Sequence, residues 1–145
     1  MESYRELRER QQREFNELPL GFAFSITQFN EMMERWGLDP VNDTEKIHLI
    51  PGGGYIQKKD RDHLIDTLAR FDTELQAAKD SDLDGTGFLY QMFRYELANH
   101  EYAYTGELDD TLDSLGITMD EINGSPAMTA ALHNAIRAIT GEEEN

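Results

Sequence analysis

The chain has 145 residues, 39% of them hydrophobic, and a formal net charge of −16 from 29 acidic and 13 basic residues. This size favours one domain with a real core, and the aromatic content excludes a disordered acidic tail. Because the chain lacks cysteine, disulfides, thiolate metal sites and cysteine nucleophiles are excluded. No stretch reaches the ~18 apolar residues of a membrane span and no signal peptide is visible, so we expect a cytoplasmic protein that does not bind membranes.

Capping signals define the first two predicted helices. Ser3 followed by Glu6 has capping-box spacing and predicts a helix over residues 4–18, which we expect to be peripheral. The thin apolar stripe of this helix consists of Tyr4, Leu7, Phe15 and Leu18. Ser25 predicts the start of a second helix that stops at Gly37. Its apolar face consists of Ile26, Phe29, Met33 and Trp36.

A hairpin and two longer helices are predicted in the middle of the chain. The segments KIHLI and YIQK flank a Pro-Gly-Gly-Gly turn at residues 51–54, which is typical of a small β-hairpin. Asp60 can cap a helix that ends near Lys79, with a buried stripe of Leu64, Ile65, Leu68, Phe71 and Leu75. A fourth helix starts near Phe88, and one face of it carries Leu89, Met92, Phe93, Leu97 and Tyr104.

The C-terminal part contains three shorter start and stop signals. Gly116 is predicted to end a short helix with a positive φ, and Thr118 to cap the next one. Ser125 and Pro126 begin the last helix, which stops at Gly141. We therefore predict a mainly α fold: a compact, single-domain helical bundle of about six helices with one small β-hairpin over residues 1–141, followed by a disordered acidic tail at 142–145.

The loop between the third and fourth helices resembles the first half of a calcium-binding EF-hand loop. Its acids occupy the first, third and fifth positions, and Gly85 stands where that loop turns sharply. The three acids are Asp80, Asp82 and Asp84. The second half lacks the required bidentate acid, since Gln91 stands there. The favoured interpretation is a loop in which an Asp or Thr86 caps the following helix, with weak calcium candidates in its acids.

Glu96 and His100 lie one helical turn apart, which places two metal-ligand types on one face. A metal site requires further donors that the sequence does not identify. The simpler interpretation is a half-buried histidine paired with a carboxylate or a tyrosine hydroxyl. Because no catalytic motif is complete, we predict a non-enzymatic protein without a cofactor.

Acidic residues dominate the end of the chain. From Gly106 onward there are nine acids and one base, Arg137. Six of the acids lie within fifteen residues: Glu107, Asp109, Asp110, Asp113, Asp120 and Glu121. Such a surface repels nucleic acid and attracts a basic protein groove. We predict that these six residues bind a partner, and the alternative is an acidic surface that only serves solubility.

Three segments carry a resemblance to a known family. They are FAFSITQF, GGGYIQKKD and DGTGFLYQMFRYELANHEYAYTGELDDTLDSLGIT, and ELANHEYAYTGELDDTL is the most specific. Over about two thirds of its length the chain resembles an uncharacterised family of small acidic proteins from phages and integrative elements of Gram-positive gut bacteria. The resemblance implies no catalytic residue, only a mobile-element context.

Three functional hypotheses follow. The leading one is an acidic protein-binding module that docks on a basic, nucleic-acid-handling partner, such as an inhibitor of a host defence enzyme of the anti-CRISPR or anti-restriction type that mimics nucleic acid. The first alternative is a small metal-dependent enzyme or metal-regulated protein centred on Glu96 and His100. The second is a structural or accessory protein that self-associates through the N-terminal helix.

Overall fold

The computed structural model describes residues 2–141 and is mainly helical, as predicted. Its helices are α1 (Tyr4–Asn16), α2 (Ile26–Arg35), α3 (Arg61–Asp80), α4 (Phe88–Asn99), α5 (Tyr102–Thr105), α6 (Asp109–Leu115), α7 (Met119–Asn123) and α8 (Pro126–Thr140). Its strands are β1 (Leu20–Phe22), β2 (Ile47–Ile50) and β3 (Gly54–Gln57). The predicted disordered tail at 142–145 lies outside the described residues. None of the helices within 2–141 has the length and apolarity needed to cross a membrane.

Contacts group the chain into two compact units. We call residues 1–11 and 73–145 the terminal unit, and residues 12–72 the sheet unit. Each has its own buried residues, and both unit boundaries fall inside helices. That residues 1–141 form a single domain stays a prediction.

The sheet unit contains the predicted hairpin and one strand more. The strand order is β1-β3-β2, antiparallel throughout, so β1 extends the hairpin of β2 and β3 into a three-stranded sheet. Ile56 in the central strand packs with Leu18 and Leu64 on one face of the sheet. Tyr55, which points to the opposite face, packs with residues of α2, including the fully buried Met33.

Trp36, predicted on the apolar face of the second helix, is partly buried at the end of α2 and packs against the α2 face of the sheet. A Cβ added to Gly21 in β1 would lie 2.9 Å from the Trp36 ring and 2.5 Å from the Met32 sulfur. Gly21 therefore gives the indole room to pack directly on the strand.

Three parts of the predicted helical stripes are wrong. Ile26, predicted on the apolar face of the second helix, is 81% exposed, because it is the first residue of α2 and the residues that pack on the sheet lie further along the helix. In α3, Ile65 and Leu68 are 47% and 42% exposed, because the inward face runs through Leu64 and Thr67 and leaves them to one side. Tyr104 is 93% exposed. The predicted fourth helix ends at Asn99, before it reaches Tyr104. The next helix, α5, starts after Glu101, which has a φ of 56°.

The terminal unit is built on α4, whose inner face is completely buried. Its core consists of Tyr4, Leu7, Phe88, Leu89, Met92, Phe93, Leu97, Leu112, Ile117, Ile122, Ala131, Leu132 and Ala135. The start of α1 contributes to this core, although the sequence analysis placed the α1 stripe at the periphery. Further along the same stripe, Phe15 and Leu18 pack within the sheet unit. The apolar residues of the predicted first helix therefore pack against other residues of the same chain.

Candidate functional site

The six acids predicted to bind a partner lie on α6, α7 and the segment before α6, and all six are exposed. Asp109 and Asp113 are four residues apart and share one side of α6, together with Asp110. Asp120 and Glu121 occupy the first turn of α7. We call the six residues the acidic surface. Within the part of the chain that the structure describes, none of their carboxylates forms an ion pair.

Buried apolar residues fix the acidic surface from beneath. Leu112 in α6, Ile117 between the helices and Ile122 in α7 all belong to the core of the terminal unit. Gly116 ends α6 with a φ of 65°, as predicted, and thereby returns Ile117 to the core. The acids are consequently presented on short helices with an anchored inner side.

Local caps also define the start of α7. The Thr118 Oγ1 accepts a hydrogen bond of 3.2 Å from the backbone N–H of Glu121, which confirms the predicted cap. Acids in the first turn of a helix interact favourably with its dipole, so Asp120 and Glu121 also favour this short helix. The acids in the first turns of α6 and α7, which are Asp109, Asp110, Asp120 and Glu121, therefore have a structural effect that a test of binding must separate from recognition.

Glu96 differs from these acids because it is only 1% exposed. Its Oε1 accepts hydrogen bonds from the Tyr4 hydroxyl at 3.1 Å and from Arg8 Nη1 at 3.0 Å. Its Oε2 accepts a hydrogen bond from the Ser114 hydroxyl at 3.0 Å. The buried carboxylate is thus compensated by a cation and by two hydroxyls.

The predicted partner of Glu96, His100, lies beside it but is not hydrogen-bonded to it. The His100 Nε2 is 3.6 Å from Glu96 Oε2, is buried, and has no hydrogen-bond partner within residues 2–141. No group of three His, Asp or Glu residues able to hold a metal ion occurs in this described range. The two ligand types meet as predicted, but Arg8 already contacts the carboxylate.

The partners that surround Glu96 were not predictable from its position in the sequence. Tyr4, Arg8 and Ser114 are 92, 88 and 18 residues away from it in sequence. The one usable signal was the placement of Tyr4 and Arg8 one helical turn apart on α1. Burial and the negative charge of Glu96 raise the pKa of Tyr4 to about 12, so its hydroxyl keeps its proton near neutral pH.

The EF-hand-like loop leads directly into α4 and caps its first turn. Asp82 accepts backbone hydrogen bonds from Gly85, Gly87 and Leu89 at 2.9–3.1 Å. Asp84 accepts from the hydroxyl and the backbone N–H of Thr86, which lowers the pKa of Asp84. The predicted Asp cap is therefore present, on Asp82 rather than on Thr86.

Asp80 and Gly85, the two remaining loop positions that resemble an EF-hand, have structural roles as well. Asp80, the first acid of the loop, accepts a hydrogen bond of 2.8 Å from the Gln76 side chain. Gly85 has a φ of 78°, and a Cβ there would collide with the Ala127 carbonyl of α8. The loop therefore needs a glycine because it passes directly against the backbone of α8.

Comparison with known proteins identifies a family. The match covers residues 3–138, which is nearly the whole chain. The chain belongs to DUF7659, a family of unknown function. No curated protein and no solved structure matches it. Membership in DUF7659 confirms the expected relation to an uncharacterised family and assigns no role to the acidic surface or to Glu96.

Proposed function

We propose that this protein is a non-enzymatic binding module that docks its acidic surface on a basic surface of another protein. The observation that supports this most is the exposure of all six carboxylates, five of them on α6 and α7, whose inner sides are buried, and one in the segment before α6. A recognition surface held in place in this way loses little conformational entropy on binding. Opposite charge on the partner accelerates association and selects against acidic competitors.

A protein that normally binds nucleic acid has a charge complementary to that of the acidic surface. Such proteins carry grooves of Lys and Arg that neutralise phosphates, and carboxylates on consecutive helices can occupy the same groove. Together with the resemblance to proteins of mobile elements, this supports inhibition of a host nucleic-acid-handling or defence enzyme, of the anti-CRISPR or anti-restriction type, by mimicry of nucleic acid.

The metal alternative has less support from the geometry. The Glu96 carboxylate is neutralised by Arg8 at 3.0 Å and accepts two further hydrogen bonds, so three of its roughly four lone-pair sites are already engaged. Self-association through the N-terminal helix would have to use the polar side of α1, because Tyr4, Leu7 and Leu18 are buried.

The test is a capture experiment with two variants of equal charge. The first changes Asp109, Asp110 and Asp113 to Asn and Glu121 to Gln. The matched control removes four exposed acids from α2 and α3 of the sheet unit: Glu31→Gln, Glu34→Gln, Asp62→Asn and Asp66→Asn. Both variants lose four negative charges, so a general effect of net charge is the same in each.

Immobilised wild-type protein is incubated with an extract of the native host, and bound proteins are eluted with rising salt and identified. We expect a basic nucleic-acid-binding protein that elutes between about 0.2 and 0.5 M salt, where exposed ion pairs are screened. It should bind the control variant and not the acidic-surface variant. Equal capture by both variants would refute the proposal, and so would a partner whose purified form binds equally well at low and high salt.

A further inference from the structure

A surface pocket of about 420 Å³ lies between the start of α1 and the outer face of α4 in the terminal unit. Its α4 residues recur at helical spacing on the side opposite the buried face. The lining consists of Ser3, Arg5, Tyr90, Gln91, Arg94, Tyr95 and Ala98. The volume is within the range of small-molecule sites, roughly 300–1,000 Å³.

The chemistry of this lining is the reverse of that of the whole chain. The protein carries 29 acids and 13 bases, yet the pocket is lined by two arginines and no carboxylate. The Arg94 side chain is exposed and, within the described part of the chain, makes no ion pair. Arg5 pairs with Glu9 at 3.2 Å, but both side chains are largely exposed, and such a pair is weak because water screens it. Both guanidinium groups can therefore turn to a ligand.

The remaining polar groups of the pocket are also hydrogen-bond donors. The Gln91 amide oxygen accepts from the backbone N–H of Tyr4 at 3.1 Å, which leaves the Gln91 amide nitrogen as a donor. Tyr90 and Tyr95 add hydroxyl donors. Two carboxylates outside the lining contact it: Glu6 accepts from the backbone N–H of Ser3 as part of the helix cap, and Glu9 pairs with Arg5. The pocket thus presents donors to a ligand rich in acceptors.

The tyrosines give the pocket flat apolar walls as well. The Tyr95 ring contacts the buried Tyr4 ring with centroids 5.7 Å apart, and the Arg8 guanidinium lies 5.4 Å from its centroid. These contacts hold one tyrosine wall in place. Tyr90 packs against the core of the terminal unit. A planar ring can stack against such side chains while its acidic group meets Arg94.

We infer that this pocket binds a small aromatic anion, a planar ring that carries a phosphate or a carboxylate group. The inference is independent of the acidic surface, because the two share no residue. The geometry requires both parts of the ligand: the arginines select the anionic group and the tyrosines select the ring.

The test uses four probes and ¹H–¹⁵N NMR spectra of the full chain. Phenyl phosphate and benzoate carry a ring with an anionic group, inorganic phosphate carries the anion alone, and benzyl alcohol carries the ring alone. We expect phenyl phosphate or benzoate to shift the amides of Gln91, Arg94 and Tyr95 saturably. Whichever of the two binds more tightly identifies the anionic group, and the single-feature probes should bind at least about ten-fold more weakly.

Two arginine variants separate a site from general charge attraction. Arg94→Gln removes a guanidinium in the pocket, and Arg137→Gln removes an exposed one in α8 that does not line it. Arg94→Gln should weaken binding by about ten-fold or more, the usual effect of losing a charge-assisted hydrogen bond, and Arg137→Gln should leave it unchanged. The inference is overturned if no probe produces saturable shifts in the wild-type protein, or if both variants bind as the wild type does.

Discussion

Glu96 and the acidic surface belong to the same unit of the chain and show two opposite uses of a carboxylate. Glu96 is buried and receives hydrogen bonds from Tyr4, Arg8 and Ser114. The acids of α6 and α7 are exposed and make no ion pair within the described residues. A buried charge must be compensated inside the protein, whereas an exposed charge is solvated and can pair with another molecule. The comparison indicates that Glu96 supports the fold and that the acidic surface is available for binding.

The largest expected effect is that of Glu96→Gln. The change removes the charge that compensates Arg8 while it keeps the size of the side chain. We expect the free energy of unfolding to fall by about 3 kcal/mol, because a neutral amide weakens the three charge-assisted hydrogen bonds from Tyr4, Arg8 and Ser114 and brings N–H donors of its own beside these donors. Urea unfolding of the wild type and the variant measures this change in the free energy of unfolding.

The control for this prediction is Glu9→Gln, which removes a carboxylate from an exposed pair with Arg5 in the same helix as Arg8. It should change the free energy of unfolding by less than about 0.5 kcal/mol. Equal effects of the two substitutions would contradict the structural role assigned to Glu96.

A backbone substitution tests the support of the acidic surface without a change of charge. Gly116 has a φ of 65°, and a Cβ at this position meets no other atom within 4 Å. Gly116→Val should therefore destabilise the protein by about 2 kcal/mol through backbone strain alone. Gly116→Asn should cost less than half of that, because Asn tolerates the left-handed conformation. Thermal unfolding compares them, and equal stability of the two variants would show that this backbone is not strained.

The Tyr4 hydroxyl offers a test of the Glu96 environment by pH. Its pKa is raised to about 12 in the folded protein by burial and by the charge of Glu96, against 10.0 for an ordinary tyrosine. A group with a raised pKa binds its proton more tightly when folded, so its contribution to stability is complete below pH 10 and is lost between pH 10 and about 12.

Tyr4→Phe removes this ionisation and should flatten the loss of stability over that interval relative to the wild type. Absorbance of tyrosinate should correspondingly show a titration step near pH 12 in the wild type that is missing in the variant. If all tyrosines of the wild type titrate together near pH 10, the environment assigned to Tyr4 is wrong.

The smallest expected effect on stability comes from the acidic surface. Changing Asp109, Asp110 and Asp113 to Asn and Glu121 to Gln relieves repulsion among like charges but loses favourable helix-dipole interactions of about 0.3–1 kcal/mol for acids in a first turn. These effects oppose each other, so the free energy of unfolding should change by less than about 1 kcal/mol. The Thr118 cap accepts from the backbone of residue 121 and remains. A loss as large as that of Glu96→Gln would show that these acids hold the fold together.

Local signals made much of this fold predictable. The caps at Ser25, Thr118 and Ser125 and the stop at Gly116 each depend on residues within one helical turn, and the structure confirms all four. The hairpin was predictable for the same reason, because its turn lies directly between its strands.

Features that depend on distant residues were not predictable in this way. Strand β1 forms by pairing Leu20 with Ile56, 36 positions away, and three residues carry too little periodicity to reveal it. The exposure of Ile65 follows from how α3 is rotated on its neighbours, which a broad apolar stripe does not specify. The buried charge of Glu96 is compensated by Tyr4 and Arg8, which lie 92 and 88 positions earlier in the sequence. The sequence alone therefore singled out the six exposed acids and Glu96 beside His100, but not the burial of Glu96 or its partners Tyr4, Arg8 and Ser114.

The most direct test of the central claim measures binding and stability on the same two proteins. The partner captured by the wild type is purified, and its affinity is measured for the acidic-surface variant and for the control variant of the sheet unit, alongside their free energies of unfolding. The account predicts that both variants remain as stable as the wild type within about 1 kcal/mol and that only the acidic-surface variant loses affinity, by about 100-fold or more. Retained affinity in a folded acidic-surface variant would contradict it.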